Sequence, residues 1–201
     1  MPGKQGIRSK QWLTEQSVHV FNTFGLDITM NQLADYLGVS RGRISHFFAT
    51  RDALFEAISQ VYQYRLQRIM IAFELEYANY NFENVKHLFG NIMDNQYDYR
   101  CVILYAAGAG NSKSVASRQI QDAYRLSKTE IRLLISKLVA ANDLKAEILD
   151  QQNYDIFEFQ FVNLFTSWVI SKEIYYPNNT YPEMKPLFHK GLLNLFEPYL
   201  T

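Results

Sequence analysis

Apolar residues recur along this chain at intervals of three and four, the spacing of one helical face, and no strand-length run alternates polar and apolar positions between turn signals. The pattern predicts an all-α fold. A first helix is expected from about Ile7 to Phe24, with Leu13, Ser17, Val20, Phe21 and Phe24 on one side and Gly25 as its left-handed stop. Thr29-Met30-Asn31-Gln32 has the form of a capping box, in which the Thr29 hydroxyl accepts an early amide and Gln32 reaches back. Met30, Leu33, Ala34 and Leu37 then follow at helical spacing until Gly38. Val39 reads as a buried turn residue, and Ser40 as the cap of a short third helix that begins at Arg41.

Ala49-Thr50-Arg51-Asp52 marks the next start, with Asp52 in the first turn, where the helix dipole favours an anion. A long helix is expected from there through Leu54, Phe55, Ile58, Val61, Tyr62, Leu66 and Ile69 to about Tyr77. Beyond Asn79-Tyr80-Asn81, helices are expected at about 82–95, 97–108, 113–142, 153–175 and 183–198. Gly108-Ala109-Gly110-Asn111, Asn142-Asp143 and Pro177-Asn178-Asn179 supply the breaks between them. The chain shows no internal repeat and no low-complexity segment.

Composition narrows the class. The 201 residues are 48% hydrophobic and 20% charged, ordinary for a globular protein. No stretch of about 18 apolar residues is free of charge, and the start is polar, so a soluble, cytoplasmic protein with no membrane partner is expected. Net charge is zero over the whole chain. Residues 1–55 nevertheless set Lys4, Arg8, Lys10, Arg41, Arg43 and Arg51 against Glu15, Asp27, Asp35 and Asp52, and the remainder carries the balancing acidic excess.

The stretch from Thr29 to Phe48 carries the chemistry. Two capped helices joined by Gly38-Val39-Ser40 must cross steeply, so that the first can lie over a DNA backbone while the second enters the major groove. In the second of these helices Ile44 and Phe48 point to the core, leaving Arg41, Arg43, Ser45 and His46 outward. Arginine presents a fork of donors that matches guanine O6 and N7 or a phosphate, and Arg43 is best placed to read a base. The same arginines on an arbitrary helix would be read as a solvated face.

Gly38-Val39-Ser40-Arg41-Gly42, His46-Phe47-Phe48 and Thr50-Arg51-Asp52-Ala53-Leu54, together with Phe21, Gly25 and Leu33-Ala34, resemble the DNA-binding domain of the TetR family over residues 7–55. The resemblance implies a homodimer on palindromic double-stranded DNA, usually a repressor released by a small-molecule effector. It implies DNA contacts at Thr29, Ser40, Arg41, Gly42, Arg43, Ser45, His46, Phe47 and Arg51. Two positions depart from the family pattern: Ser45 stands where a tyrosine is common, and Arg43 where a small hydroxylated residue is. Arg51 stands where the family usually has lysine, near a phosphate. The domain reading that follows is 1–55 for a helix-turn-helix and 56–201 for a helical dimerisation and ligand-binding domain.

Past residue 77 the resemblance rests on helix pattern alone. Tyr154, Phe157, Phe161, Leu164, Phe165 and Trp168 form an aromatic stripe too broad for a solvent-facing helix. It fits core, dimer interface or a cavity for an apolar or aromatic ligand, with Phe89, Tyr105, Tyr124, Phe161 and Trp168 as candidate lining residues. In relatives of this fold the last two helices, here 153–175 and 183–198, pair with their twofold mates.

Enzyme chemistry finds no foothold. Gly108 to Ser114 lacks the Gly-Lys-Ser/Thr ending of a phosphate loop, and no Gly-x-Ser-x-Gly elbow occurs. His19, His46, His87 and His189 form no metal motif, and the single Cys101 can form neither an internal disulfide nor a CxxC site. No cofactor is expected. The competing reading is a helical protein-interaction module that docks a partner protein instead of DNA.

Overall fold

The computed structural model describes residues 9–76, 80–108 and 115–201. The expected helix start at Ile7, the basic residues Lys4 and Arg8, the helix end at Tyr77, the polar Asn79 and the loop residues from Ala109 to Ser114 lie outside them. Among the described residues the regular structure is helical: α1 (Lys10–Phe24), α2 (Met30–Leu37), α3 (Arg41–Phe47), α4 (Arg51–Glu76), α5 (Phe82–Asp98), α6 (Arg100–Gly108), α7 (Val115–Ala140), α8 (Gln151–Tyr175) and α9 (Tyr181–Leu193). Short 3₁₀ turns at Ala146–Leu149 and Glu197–Tyr199 complete it, and a single antiparallel bridge pairs Leu144 with Leu200.

The helix ends form where side chains answer the free backbone groups. Ser9 caps α1 by accepting from the Trp12 amide at 3.1 Å. Thr29 accepts from the Gln32 amide at 3.2 Å while the Gln32 side chain accepts from the Thr29 amide at 2.9 Å, completing the capping box. Ser40 accepts from the Arg43 amide at 3.2 Å and starts α3. Gly38 adopts φ 59° and ψ 43°, a left-handed conformation in which a Cβ would crowd the next carbonyl. Gly25 also has positive φ, 89°, but its ψ of 175° lies outside the expected left-handed helical region.

The chain divides into two compact units, residues 1–62 with 98–119, and residues 63–97 with 120–201. In the first unit, Leu13, Val20, Phe21, Leu33, Ala34, Ile44, Phe48, Leu54, Phe55 and Ile58 are buried from α1 to α4, joined by Tyr99, Cys101 and Val102 from the α5–α6 region. Phe24, expected on the buried side of α1, is instead 52% exposed and stacks on Tyr36 of α2 at 4.3 Å. Val39 is half-buried rather than buried.

The second unit has its own core. Phe82, Val85, Leu88 and Phe89 of α5 pack with Ile131, Ile135 and Leu138 of α7, with Phe157, Phe161 and Val162 of α8, and with Leu192 and Phe196 at the C-terminal end. Aromatic rings dominate it, with Phe157 and Phe196 4.8 Å apart and Phe89 and Phe161 5.2 Å apart. Trp168 is also buried, its indole N–H donating to Gln96 Oε1 at 2.5 Å, and the Gln96 amide donates on to the Phe165 carbonyl at 3.0 Å. No helix among the described residues is long and apolar enough to cross a membrane.

Candidate nucleic-acid interface

The helix-turn-helix is built around two anchors. Ile44 and Phe48 are 1% and 2% exposed, so α3 is rotated with one side fixed in the core of the first unit. That rotation leaves Arg41, Gly42, Ser45 and His46 exposed and Arg43 and Phe47 half-buried. Thr29, at the start of α2, and Ser40, at the start of α3, are also exposed. Eight of the nine residues expected to meet DNA thus lie on the two helices of the motif or at their caps.

Local contacts shape this surface. The Arg43 guanidinium lies 5.1 Å from the Phe47 ring centroid, one helical turn along, an arrangement in which the ring face supports the cation. His46 meets Phe47 edge-on at 4.8 Å. Ser45 donates its hydroxyl to the Gly42 carbonyl at 3.2 Å. A Cβ built on Gly42 would meet only Ser40 Oγ, at 3.9 Å, so the surface is open there.

Arg51 behaves differently. It is half-buried at the start of α4, and its guanidinium donates to the Ile28 carbonyl at 2.5 Å and to the Leu26 carbonyl. The rings of Phe21 and Phe55 lie 5.1 and 5.4 Å from it. The side chain is therefore engaged with the loop that precedes α2.

Of the five candidate ligand residues, four belong to the second unit and one to the first. Phe89 and Phe161 meet in the packed aromatic core of the second unit, and Trp168 is fully buried and stacks with Tyr181 at 5.6 Å. Tyr124 is half-buried against that core, with Lys128 Nζ 5.7 Å from its ring. Tyr105 belongs to the first unit, where it stacks flat on Phe55 at 3.8 Å and donates its hydroxyl to Asp52. Burial, and secondarily the Asp52 carboxylate, pushes the Tyr105 phenol up to about 12.

Sequence periodicity missed this, because 53 residues separate Tyr105 from Asp52. A cavity of about 20 Å3 in the second unit is lined by Met70, Phe73, Leu88, Leu134, Tyr80 and Lys137 among others, room for about one water. Among the described residues no group of three His, Cys, Asp or Glu side chains is placed to hold a metal.

Residues 13–58 match the model of the bacterial regulatory proteins of the tetR family. Among curated proteins none matches the chain significantly. Of solved structures, a TetR-family transcriptional regulator from Marinobacter aquaeolei VT8 is similar with a TM-score of 0.81 at 18% identity, over 96% of this chain and 91% of that one. The ketosteroid transcriptional regulator KstR2 of Mycobacterium tuberculosis follows with a TM-score of 0.64 at 15% identity, over 94% and 93% of the two chains. At such identities the likeness is one of fold. With that segment matched and the whole-chain fold shared, the N-terminal helix-turn-helix of this chain is that of the tetR family of bacterial regulatory proteins.

Proposed function

We propose that the protein is a sequence-specific DNA-binding transcription regulator, not an enzyme, acting as a homodimeric repressor on a palindromic operator. The observation that carries this reading is the rotation of α3: Ile44 and Phe48 are locked inside, so Arg41, Arg43, Ser45 and His46 form its outer side. Arg43 reads a guanine through its donor fork, and Thr29, Ser40, Arg41, Gly42, Ser45, His46 and Phe47 surround that contact with phosphate or base contacts. Arg51 serves this surface from behind, by holding the loop before α2.

Dimerisation through the last two helices has support in what they leave uncovered. Ile156, Phe159 and Ile174 of α8 are 51%, 69% and 63% exposed, and Leu187 of α9 is 55% exposed. Apolar side chains at this spacing form a stripe that a second copy of the chain can cover. Release from DNA by a small apolar or aromatic ligand completes the reading. The Phe89–Phe161 cluster is closed by ring-on-ring contact, so such a ligand must favour a conformation in which those rings have parted.

The test is selection of bound sequences from a random duplex library by the purified chain, followed by a salt titration on the enriched duplex. A palindrome whose affinity falls steeply with salt, by about 0.9 in log–log slope per phosphate contact, is expected. Failure of the folded protein to enrich any duplex, or binding insensitive to salt, overturns the reading and favours a protein-docking module.

A further inference from the structure

The first unit contains a helix that is no part of the helix-turn-helix. Residues 98–108, which include all of α6, fall in one unit with residues 9–62, although the family match ends at residue 58. The beginning of α6 is tied to α1 by one asparagine. Asn22 Oδ1 accepts from the Cys101 amide at 3.1 Å, and Asn22 Nδ2 donates to the Asp98 carbonyl at 2.7 Å. The Asn22 carbonyl in turn accepts from Arg100 Nη2 at 2.8 Å.

One turn further along α6, Tyr105 closes a box around the Arg51 guanidinium. Phe21, Phe55 and Tyr105 set their ring centroids 5.1, 5.4 and 5.8 Å from it. Tyr105 lies parallel to Phe55 within 3°, and its hydroxyl donates to Asp52, the neighbour of Arg51. The guanidinium itself donates to the carbonyls of Leu26 and Ile28. Those residues lead directly into Thr29, the cap that sets where α2 begins, and α2 sets α3 through the Gly38 turn.

A guanidinium held on carbonyls competes with water for its donors, and rings packed around it tip that competition by excluding water. Phe21 and Phe55 come from the helix-turn-helix region and from α4, whereas the third wall comes from α6. We propose that Tyr105 is a positioning residue for DNA recognition: by walling the Arg51 guanidinium onto the Leu26 and Ile28 carbonyls, it fixes the loop from which α2 and α3 are aimed. Asn22 is its accessory, because it fixes the start of the helix that carries Tyr105. The role in recognition rests on the DNA-binding reading above, while the brace itself is a property of the fold.

The test uses the full chain with Tyr105→Phe, Tyr105→Leu, Arg51→Met and the Tyr105→Leu/Arg51→Met double variant. Three readouts are taken: helix content, affinity for the duplex selected by the wild type, and amide hydrogen exchange over residues 26–33. Tyr105→Leu keeps an apolar side chain of good helix propensity but removes the ring, and is expected to retain helix content, speed exchange over 26–33 and weaken duplex binding about tenfold. Tyr105→Phe keeps the stack and is expected to recover most of that loss. Adding Tyr105→Leu to Arg51→Met is expected to cost little more than Arg51→Met alone, since both break one device.

Wild-type affinity and exchange in Tyr105→Leu, loss of helix content in it, or additive effects in the double variant would overturn the proposal. If the wild type selects no duplex, the DNA-binding reading fails, and exchange over 26–33 still decides whether the brace exists.

Discussion

Gln96 answers two buried groups at once, accepting from the Trp168 indole and donating to the Phe165 carbonyl. A buried polar group left unpaired costs about 1–3 kcal/mol, so Gln96→Leu is expected to destabilise the protein by that amount despite its similar size, as read from urea unfolding. Cys101 is the opposite case, a thiol withdrawn from solvent. It is 1% exposed, and burial pushes its thiol up to about 12. Because the thiolate is the reactive form, the folded protein is expected to leave a thiol reagent unconsumed at pH 8, with full reaction after unfolding. Reaction of the folded protein at the rate of the unfolded one would refute that placement. The raised value also signs its pH dependence: its stabilising contribution is complete below the ordinary thiol range and is lost as pH climbs toward 12.

At the scale of elements, the reading-head helices are too short to stand alone, at eight residues for α2 and seven for α3. Their stability comes from caps and from the buried side. Thr29→Ala is expected to cost about 1 kcal/mol in unfolding free energy, and Thr29→Ser to restore most of it, since the hydroxyl is what answers the Gln32 amide. These elements were legible in the sequence because a capping box, a turn glycine and a second cap are local signals. Helices α5 to α9 were legible as helices for the same reason, with ends shifted by a few residues. Phe24 and Tyr36 show the limit of periodicity: Phe24 continues the apolar side of α1, yet its partner is another exposed ring and not the core.

For the whole molecule, the exposed apolar stripe of α8 makes a prediction about assembly. Placing a charge in its middle by Phe159→Glu would bury an unpaired carboxylate between two copies, a cost large enough to abolish association. The variant is expected to run as a monomer by light scattering, with wild-type helix content, and to bind the selected palindrome far more weakly than the wild type does. A dimeric Phe159→Glu with unchanged affinity would exclude this side of α8 from the interface.

Local chemistry, written in consecutive residues, determined the all-α class, the helix-turn-helix and the set of side chains available to meet DNA on α3. Period and capping are short-range, so a single strand of text holds them. The partners of Arg51, Tyr105 and Trp168 were a different matter, since each depends on residues brought together from distant parts of the chain. Only the tertiary structure could set Arg51 on the Leu26 and Ile28 carbonyls, stack Tyr105 on Phe55 in the unit that holds the helix-turn-helix, and show Phe89 and Phe161 packed ring against ring. An apolar or aromatic side chain has the same pattern in the sequence whether it fills a core or lines a cavity, and the packing of its neighbours makes the difference.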